Sequence, residues 1–158
     1  YTSQGYYEYT SIPRTGTAGA LVKAESYLKS SAFSYTGLID QLEYHGFSTY
    51  EATYAADNCG ADWNAQALRK AKSYLDSSAF SYTGLIDQLE YSGFTASQAK
   101  YGADRCGANW NEQAARKAKS YLKSSSNWTK SRLKSQLEYS GFTSSEANYG
   151  VNNCGMSW

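Results

Sequence analysis

The chain repeats itself, and the repeat period constrains its fold more than any other feature. The stretch from Ser31 to Tyr44 returns unchanged as Ser78 to Tyr91, 47 residues later. Around it, Tyr27, Cys59 and Trp63 recur as Tyr74, Cys106 and Trp110 at the same spacing. A more diverged third copy carries Tyr121, Cys154 and Trp158. Between turns the patterning is helical. A period of this length, filled with helical patterning, specifies stacked helical units. One unit of about 47 residues is marginal alone, so neighbouring units are expected to share buried surface. Such arrays usually bind a partner and rarely catalyse.

Each copy reads as three helices. Helix A carries an i, i+3/i+4, i+7 apolar stripe: Ala20, Leu21, Ala24, Tyr27 and Leu28 in the first copy. Asn109-Trp-Asn-Glu112 is a candidate capping box for its third copy, with Asp62 at the matching position of the second. Helix B starts after Phe33 with Ser34 as N-cap, buries Leu38, Ile39 and Leu42, and stops at Gly46. Gly93 and Gly141 are the equivalent stops. Helix C opens with Ser48-x-x-Glu51, Thr95-x-x-Gln98 and Thr143-x-x-Glu146, three capping boxes in register. Its inner face is small: Ala52, Ala55, Ala56 and Cys59 in the first copy, Ala147, Gly150, Val151 and Cys154 in the third. Short helices joined by Gly-containing turns resemble helix-turn-helix units. The expected fold is all-α, a tandem array of three small three-helix, helix-turn-helix-like repeats. The expected segments are an arm or linker at 1–17 and repeats at 18–62, 63–109 and 110–158. Trp63 and Trp110 are expected to wedge between repeats.

Residues 1–16 are rich in Tyr, Ser, Thr and Gly and read as extended. Within them Ile12-Pro-Arg-Thr-Gly16 looks like a sortase sorting pentapeptide. Such a signal needs an apolar segment and a basic tail directly after it. Folded repeats follow instead, so the pentapeptide is read as a chance or linker-derived echo.

Composition narrows the function. Net charge is +1, too small for a general nucleic-acid footprint. Residues 1–100 hold seven basic and ten acidic residues, net −3, whereas residues 101–158 hold eight and four, net +4. The third copy could therefore favour an anionic partner, the alternative being a basic solvated face. The start of helix C is neutral or acidic, unlike a DNA reader, so no nucleic-acid partner is expected. No run approaches the ~18 apolar residues of a membrane span. No signal peptide is visible in the sequence, whether a leader or anchor precedes Tyr1 is left open, and contact with a membrane is expected only through such an anchor.

The three cysteines, one per copy, each precede a glycine and do not make a disulfide framework. They read as reduced, small buried residues of helix C. With His45 the only histidine, neither a metal site nor a cofactor is expected. No triad-like set and no phosphate loop occurs, so no catalytic residue is assigned and no enzyme is expected. Glu43, Glu90 and Glu138 recur once per copy and read as part of the fold's own hydrogen bonding.

Ala67–Leu75 (Ala-Leu-Arg-Lys-Ala-Lys-Ser-Tyr-Leu), Gly84–Leu89, Gly93-Phe-Thr-x-x-Gln-Ala99, Tyr101-x-x-Asp104 and Asn109-Trp110 together resemble the Ltp-type host cell surface-exposed lipoprotein domain. The resemblance spans residues 18–158 as three copies, where the phage lipoprotein is similar to a two-copy protein. It implies a tandem of helix-turn-helix-like units tethered outside a Gram-positive-type cell by an N-terminal lipid. It also implies superinfection exclusion, in which an incoming phage's tape measure protein is bound and DNA injection stops.

Three readings follow for a non-catalytic extracellular or surface module. It captures a phage tape-measure-like or surface protein, it adheres to cell-wall glycan, or it self-associates into an assembly. Candidate contact residues are Tyr35 and Tyr82, with Trp128 near the same site in copy three. The alternative for these tyrosines is a half-buried ring flanking Leu38 or Leu85. Basic candidates are Lys117, Lys119, Lys123, Lys130, Arg132 and Lys134.

Overall fold

The computed structural model describes residues 11–158. The expected arm at 1–17 therefore lies mostly outside the described residues. Among the described residues the chain is all-helical: α1 (Gly16–Ser30), α2 (Tyr35–Tyr44), α3 (Thr49–Asn58), α4 (Trp63–Ser77), α5 (Tyr82–Tyr91), α6 (Ala96–Arg105), α7 (Trp110–Ser124), α8 (Lys130–Tyr139) and α9 (Ser144–Asn152). These are three helices per repeat, three times over. No helix of the described residues is long and apolar enough to cross a membrane.

The local signals act as the sequence implies. Ser48, Thr95 and Thr143 each accept from the backbone N–H three residues on, and Glu51, Gln98 and Glu146 return the bond. Each such cap contributes about 1 kcal/mol. Helix B stops where Gly46, Gly93 and Gly141 take φ of 108°, 99° and 102°, a region open to glycine and costly to other residues. The capping box expected at Asn109 forms only by half. Asn109 accepts from the Glu112 N–H at 3.1 Å, but the Glu112 carboxylate takes the Tyr149 hydroxyl at 2.5 Å instead.

The cores are thin. In the second repeat Leu85 and Leu89 are fully buried, with Ala67, Ala71, Ala99 and Ala103 and with Phe94 closing one end. In the third the set is Leu133, Leu137, Ala114, Ala118, Ala147, Val151 and Phe142. Ile39, expected in the core of the first repeat, is half-buried there, whereas Leu38 and Leu42 are fully buried. Small residues let the helices close up. A methyl group on Gly150 would lie 2.9 Å from the Ala114 carbonyl oxygen, so α9 meets α7 backbone to backbone.

The contacts divide the chain into two compact units. One contains the described residues up to Ser31 together with Leu38–Gly60, and in it α1 packs on α3. The other contains Ala32–Gly37 and Ala61–Trp158. Within it α6 packs on α4 and α5, and α9 on α7 and α8.

All three thiols are free, but they are not equally buried. Cys154 is buried, while Cys59 and Cys106 are half-exposed, a correction to the uniform burial expected. Each thiol donates to the carbonyl three residues back. The Trp158 indole N–H donates to the same Val151 oxygen as the Cys154 thiol, at 2.7 Å. Native thiol labelling is therefore expected in two classes, Cys59 and Cys106 fast and Cys154 slow until denaturant is added. A single rate for all three would show that Cys154 is no better protected than the other two.

Candidate binding surfaces

One joint is built twice, and it accounts for several residues singled out above. The segment before helix B lies against the repeat that follows it. The Phe33 N–H donates to Gln66 Oε1 and the Phe80 N–H to Gln113 Oε1, both at 3.2 Å. The Ser34 hydroxyl donates to the Ser92 carbonyl and the Ser81 hydroxyl to that of Ser140, both at 2.7 Å. Thr36 and Thr83 donate to Gly93 and Gly141 at 3.2 Å. Ser92 and Ser140 cap the C-termini of α5 and α8, so each joint fills carbonyls that the helix itself leaves unpaired. Tyr35 meets Trp63 edge to face at 5.6 Å, and Tyr82 meets Trp110 at 5.6 Å. Both tyrosines are half-buried. Arg116 donates to the carbonyls of Leu75, Asp76 and Ser78, covering the end of α4.

Tyr82 has a second role in its joint. Its hydroxyl donates to Asp104 Oδ1 at 2.5 Å, while Lys100 Nζ donates to Oδ2 at 2.6 Å. The hydrogen bond from Lys100, then that from Tyr82, hold the Asp104 carboxyl below the ordinary carboxylate range. The same carboxylate raises the Tyr82 phenol and the Lys100 ammonium. A lowered acid contributes stability above its unfolded pKa, about 3.9, and loses it as pH falls through the lower folded value. Asp104→Asn is therefore expected to melt below the parent chain at neutral pH, with the gap closing in acid. A gap independent of pH would remove charge from the account. The effect is small because the site is exposed.

The basic candidates fall into separate places. Lys119 and Lys123 line a depression of about 320 Å³ with Arg116, Lys117 and the turn at Ser77–Ala79. Lys117 Nζ also sits over the Tyr121 ring at 5.5 Å, as Lys23 sits over Tyr27 and Lys70 over Tyr74. That contact recurs in every repeat and belongs to the fold. Lys130, Arg132 and Lys134 lie on α8. Arg132 and Trp128 line a second depression of about 460 Å³ with Ser131, Ser135, Gln136 and Tyr139. The Arg132 guanidinium stands over the Trp128 ring at 5.6 Å and donates to the Asn127 carbonyl at 2.8 Å. Trp128 occupies the place of Phe80: its ring meets Tyr121 at 5.7 Å, as Phe80 meets Tyr74 at 5.8 Å. Its indole N–H is held by the Tyr121 carbonyl at 2.9 Å.

The first repeat differs on the side where the second and third receive a joint. Where those carry Gln66 and Gln113, and Arg69 and Arg116, it carries Gly19 and Val22. A depression of about 300 Å³ there is lined by Ile12, Pro13, Arg14, Val22, His45 and Phe47, among others. A methyl group on Gly19 would lie 2.4 Å from the Arg14 carbonyl carbon, so the Ile12–Gly16 pentapeptide runs against α1. Phe47 is half-buried where Phe94 and Phe142 are buried.

Sequence reasoning passed over the most exposed rings. Tyr44, Tyr91 and Tyr139, the last residues of α2, α5 and α8, are each 88% exposed. Their neighbours Glu43, Glu90 and Glu138 are exposed as well, so these carboxylates do not serve the fold's internal bonding as expected. The available signal was that Gln-Leu-Glu-Tyr survives in the diverged third copy. Leu137 explains part of that survival by packing, but Tyr139 has no packing role. Among the described residues, no group of three or more His, Cys, Asp or Glu could hold a metal ion.

Comparison with known proteins agrees with this architecture. No curated protein and no solved structure matches the chain. The family model described as host cell surface-exposed lipoprotein matches it three times in tandem, at residues 17–59, 62–105 and 109–154. Three matches, one per three-helix repeat and together covering most of the sequence, place the chain in the family of host cell surface-exposed lipoproteins.

Proposed function

We propose that this chain is a non-catalytic protein-binding module on the surface of a Gram-positive-type bacterium. In this reading it excludes superinfecting phage by capturing a tape-measure-like phage protein and so blocks DNA injection. Its proposed segments are the arm at 1–17 and repeats at 18–62, 63–109 and 110–158. The observation that carries the reading is membership of a surface-exposed lipoprotein family by an array that leaves the tyrosine ending helix B open to solvent in every repeat. Exposed Tyr offers rigid apolar area with a polar tip at little entropic cost, which suits protein recognition. The proposed contacts are Trp128 with Lys119, Lys123, Lys130, Arg132 and Lys134, joined by Tyr139. Tyr35, Tyr82 and Lys117 serve the joints and the helix A contacts first.

The test tethers the purified chain at the surface of phage-sensitive cells and follows adsorption and DNA injection separately. The expected result is normal adsorption with injection reduced. Unchanged injection, with retention of the chain on purified wall glycan, would replace this reading with adhesion.

A further inference from the structure

The third repeat carries the same outward joint face as the other two, altered residue by residue. Thr129 caps α8 as Ser81 caps α5, which aligns Trp128 with Phe80, Lys130 with Tyr82, Ser131 with Thr83, Arg132 with Gly84 and Lys134 with Ile86. In the second repeat this face donates the Phe80 N–H and the Ser81 and Thr83 hydroxyls to the repeat that follows. The equivalent donors are the Trp128 N–H, Thr129 Oγ1 and Ser131 Oγ. None of them donates to a partner among the described residues. The buried leucines, Leu133 and Leu137, are retained. The charge is not. Helix α5 holds two acidic residues and no basic one, whereas α8 holds three basic and one acidic. Among the described residues the cations of α8 form no ion pair with a carboxylate.

We propose that this face, formed by the turn before α8 and the first turns of that helix, is the docking surface for an acidic helical protein segment. The proposal rests on the protein-binding reading above and names the site and the chemistry of the partner. Two observations select that partner. The two hydroxyl donors are those that, in both joints, read the main-chain carbonyls at the C-terminal end of a helix, while the backbone N–H reads a side-chain amide oxygen. Lys130, Arg132 and Lys134 add positive charge around them, which complements acidic side chains and the negative end of a helix dipole. Trp128 and Tyr139 flank the depression with apolar surface.

A second copy of the chain is the wrong occupant. At Gly84 a methyl group would already be in contact with the third repeat, 3.6 Å from the Ser140 oxygen, and the much longer Arg132 side chain stands in its place. The first repeat of another copy would also offer Gly19 and Val22 instead of the receiving Gln and Arg.

The experiment uses the full chain and a fluorescent Ala/Glu helical peptide of about 25 residues, long enough to hold a helix. Its Ala/Lys counterpart, poly(glycerol phosphate) and phosphatidylglycerol vesicles are the comparison probes. Binding of the Ala/Glu peptide is expected to weaken about tenfold or more when Lys130, Arg132 and Lys134 are all changed to Gln, and to weaken with salt. Ser131→Ala removes a donor and no charge. It is expected to weaken binding about threefold at every salt concentration, a loss that simple charge attraction does not produce. Changing Lys72, an exposed lysine of α4, to Ala should leave binding within about twofold. Circular dichroism confirms that each variant is folded. Equal binding by the triple Gln variant overturns the proposal. So does tighter retention of poly(glycerol phosphate) or vesicles, or self-association of the parent chain abolished by the same changes. Loss of peptide binding with phage exclusion intact would move exclusion elsewhere. Peptide binding without exclusion would leave this face standing and remove the phage reading.

Discussion

Trp110→Ala is expected to lower stability by about 3–5 kcal/mol, the range for removing a large aromatic ring from a packed site. The indole opens α7 and packs on the core of the preceding repeat, against Leu85, Leu89 and their neighbours, while its edge meets Tyr82. Its loss opens the joint as well as the core, because the Phe80, Ser81 and Thr83 hydrogen bonds depend on the same approach. Tyr35→Ala should cost less. Tyr35 is half-buried and keeps its edge-to-face contact with Trp63, a pair worth about 0.5–1.5 kcal/mol beyond area burial. Chemical denaturation of the two variants beside the parent chain decides the order. A Tyr35→Ala loss as large as that of Trp110→Ala would make the tyrosine the principal element of its joint.

Leu137→Ala is expected to cost about 2–5 kcal/mol, near the upper end for its type. The third repeat has two fully buried leucines, Leu133 and Leu137, and most of its remaining core is alanine and other small residues. Small neighbours on backbone-close helices cannot move in to fill a void. Gly150 already places α9 against α7, and a methyl group there would lie 3.0 Å from Leu137 Cδ1. The loss should be local, because an array melts repeat by repeat when one unit is weakened. Hydrogen exchange should show residues 110–158 opening first, with the second repeat still protected. Uniform loss of protection along the chain would mean that the joints couple the repeats more tightly than their separate cores imply.

Much of this was written in local sequence. Capping boxes at Ser48, Thr95 and Thr143 and stops at Gly46, Gly93 and Gly141 depend only on bonds within a few residues, and a linear reading recovers them. The 47-residue period specified the number of units and the all-α class, because a stripe recurring in each copy leaves one arrangement of buried faces, while the motifs between Ala67 and Trp110 carried the family resemblance. Asn109 marks the limit of such reading. Its box was legible as spacing, yet Glu112 turns to Tyr149, a partner 37 residues away that spacing does not reveal.

What only the tertiary structure decided is which equivalent positions face a neighbour. Of the two tyrosines in one helix, Tyr82 read as the contact candidate and Tyr91 did not, but the first packs on Trp110 and the second is 88% exposed. The basic residues of copy three formed one charge count in the sequence. In three dimensions Lys117 serves a ring contact found in every repeat, whereas Lys130, Arg132 and Lys134 stand where the second repeat has Tyr82, Gly84 and Ile86. Cys154 is buried where Cys59 and Cys106 are half-exposed, and the Trp158 indole folds back to the Val151 carbonyl of its own repeat. Local hydrogen bonding defines helices within a few residues of chain. The use of each helix face depends on contacts between residues far apart in sequence, and no single copy of the repeat contains that information.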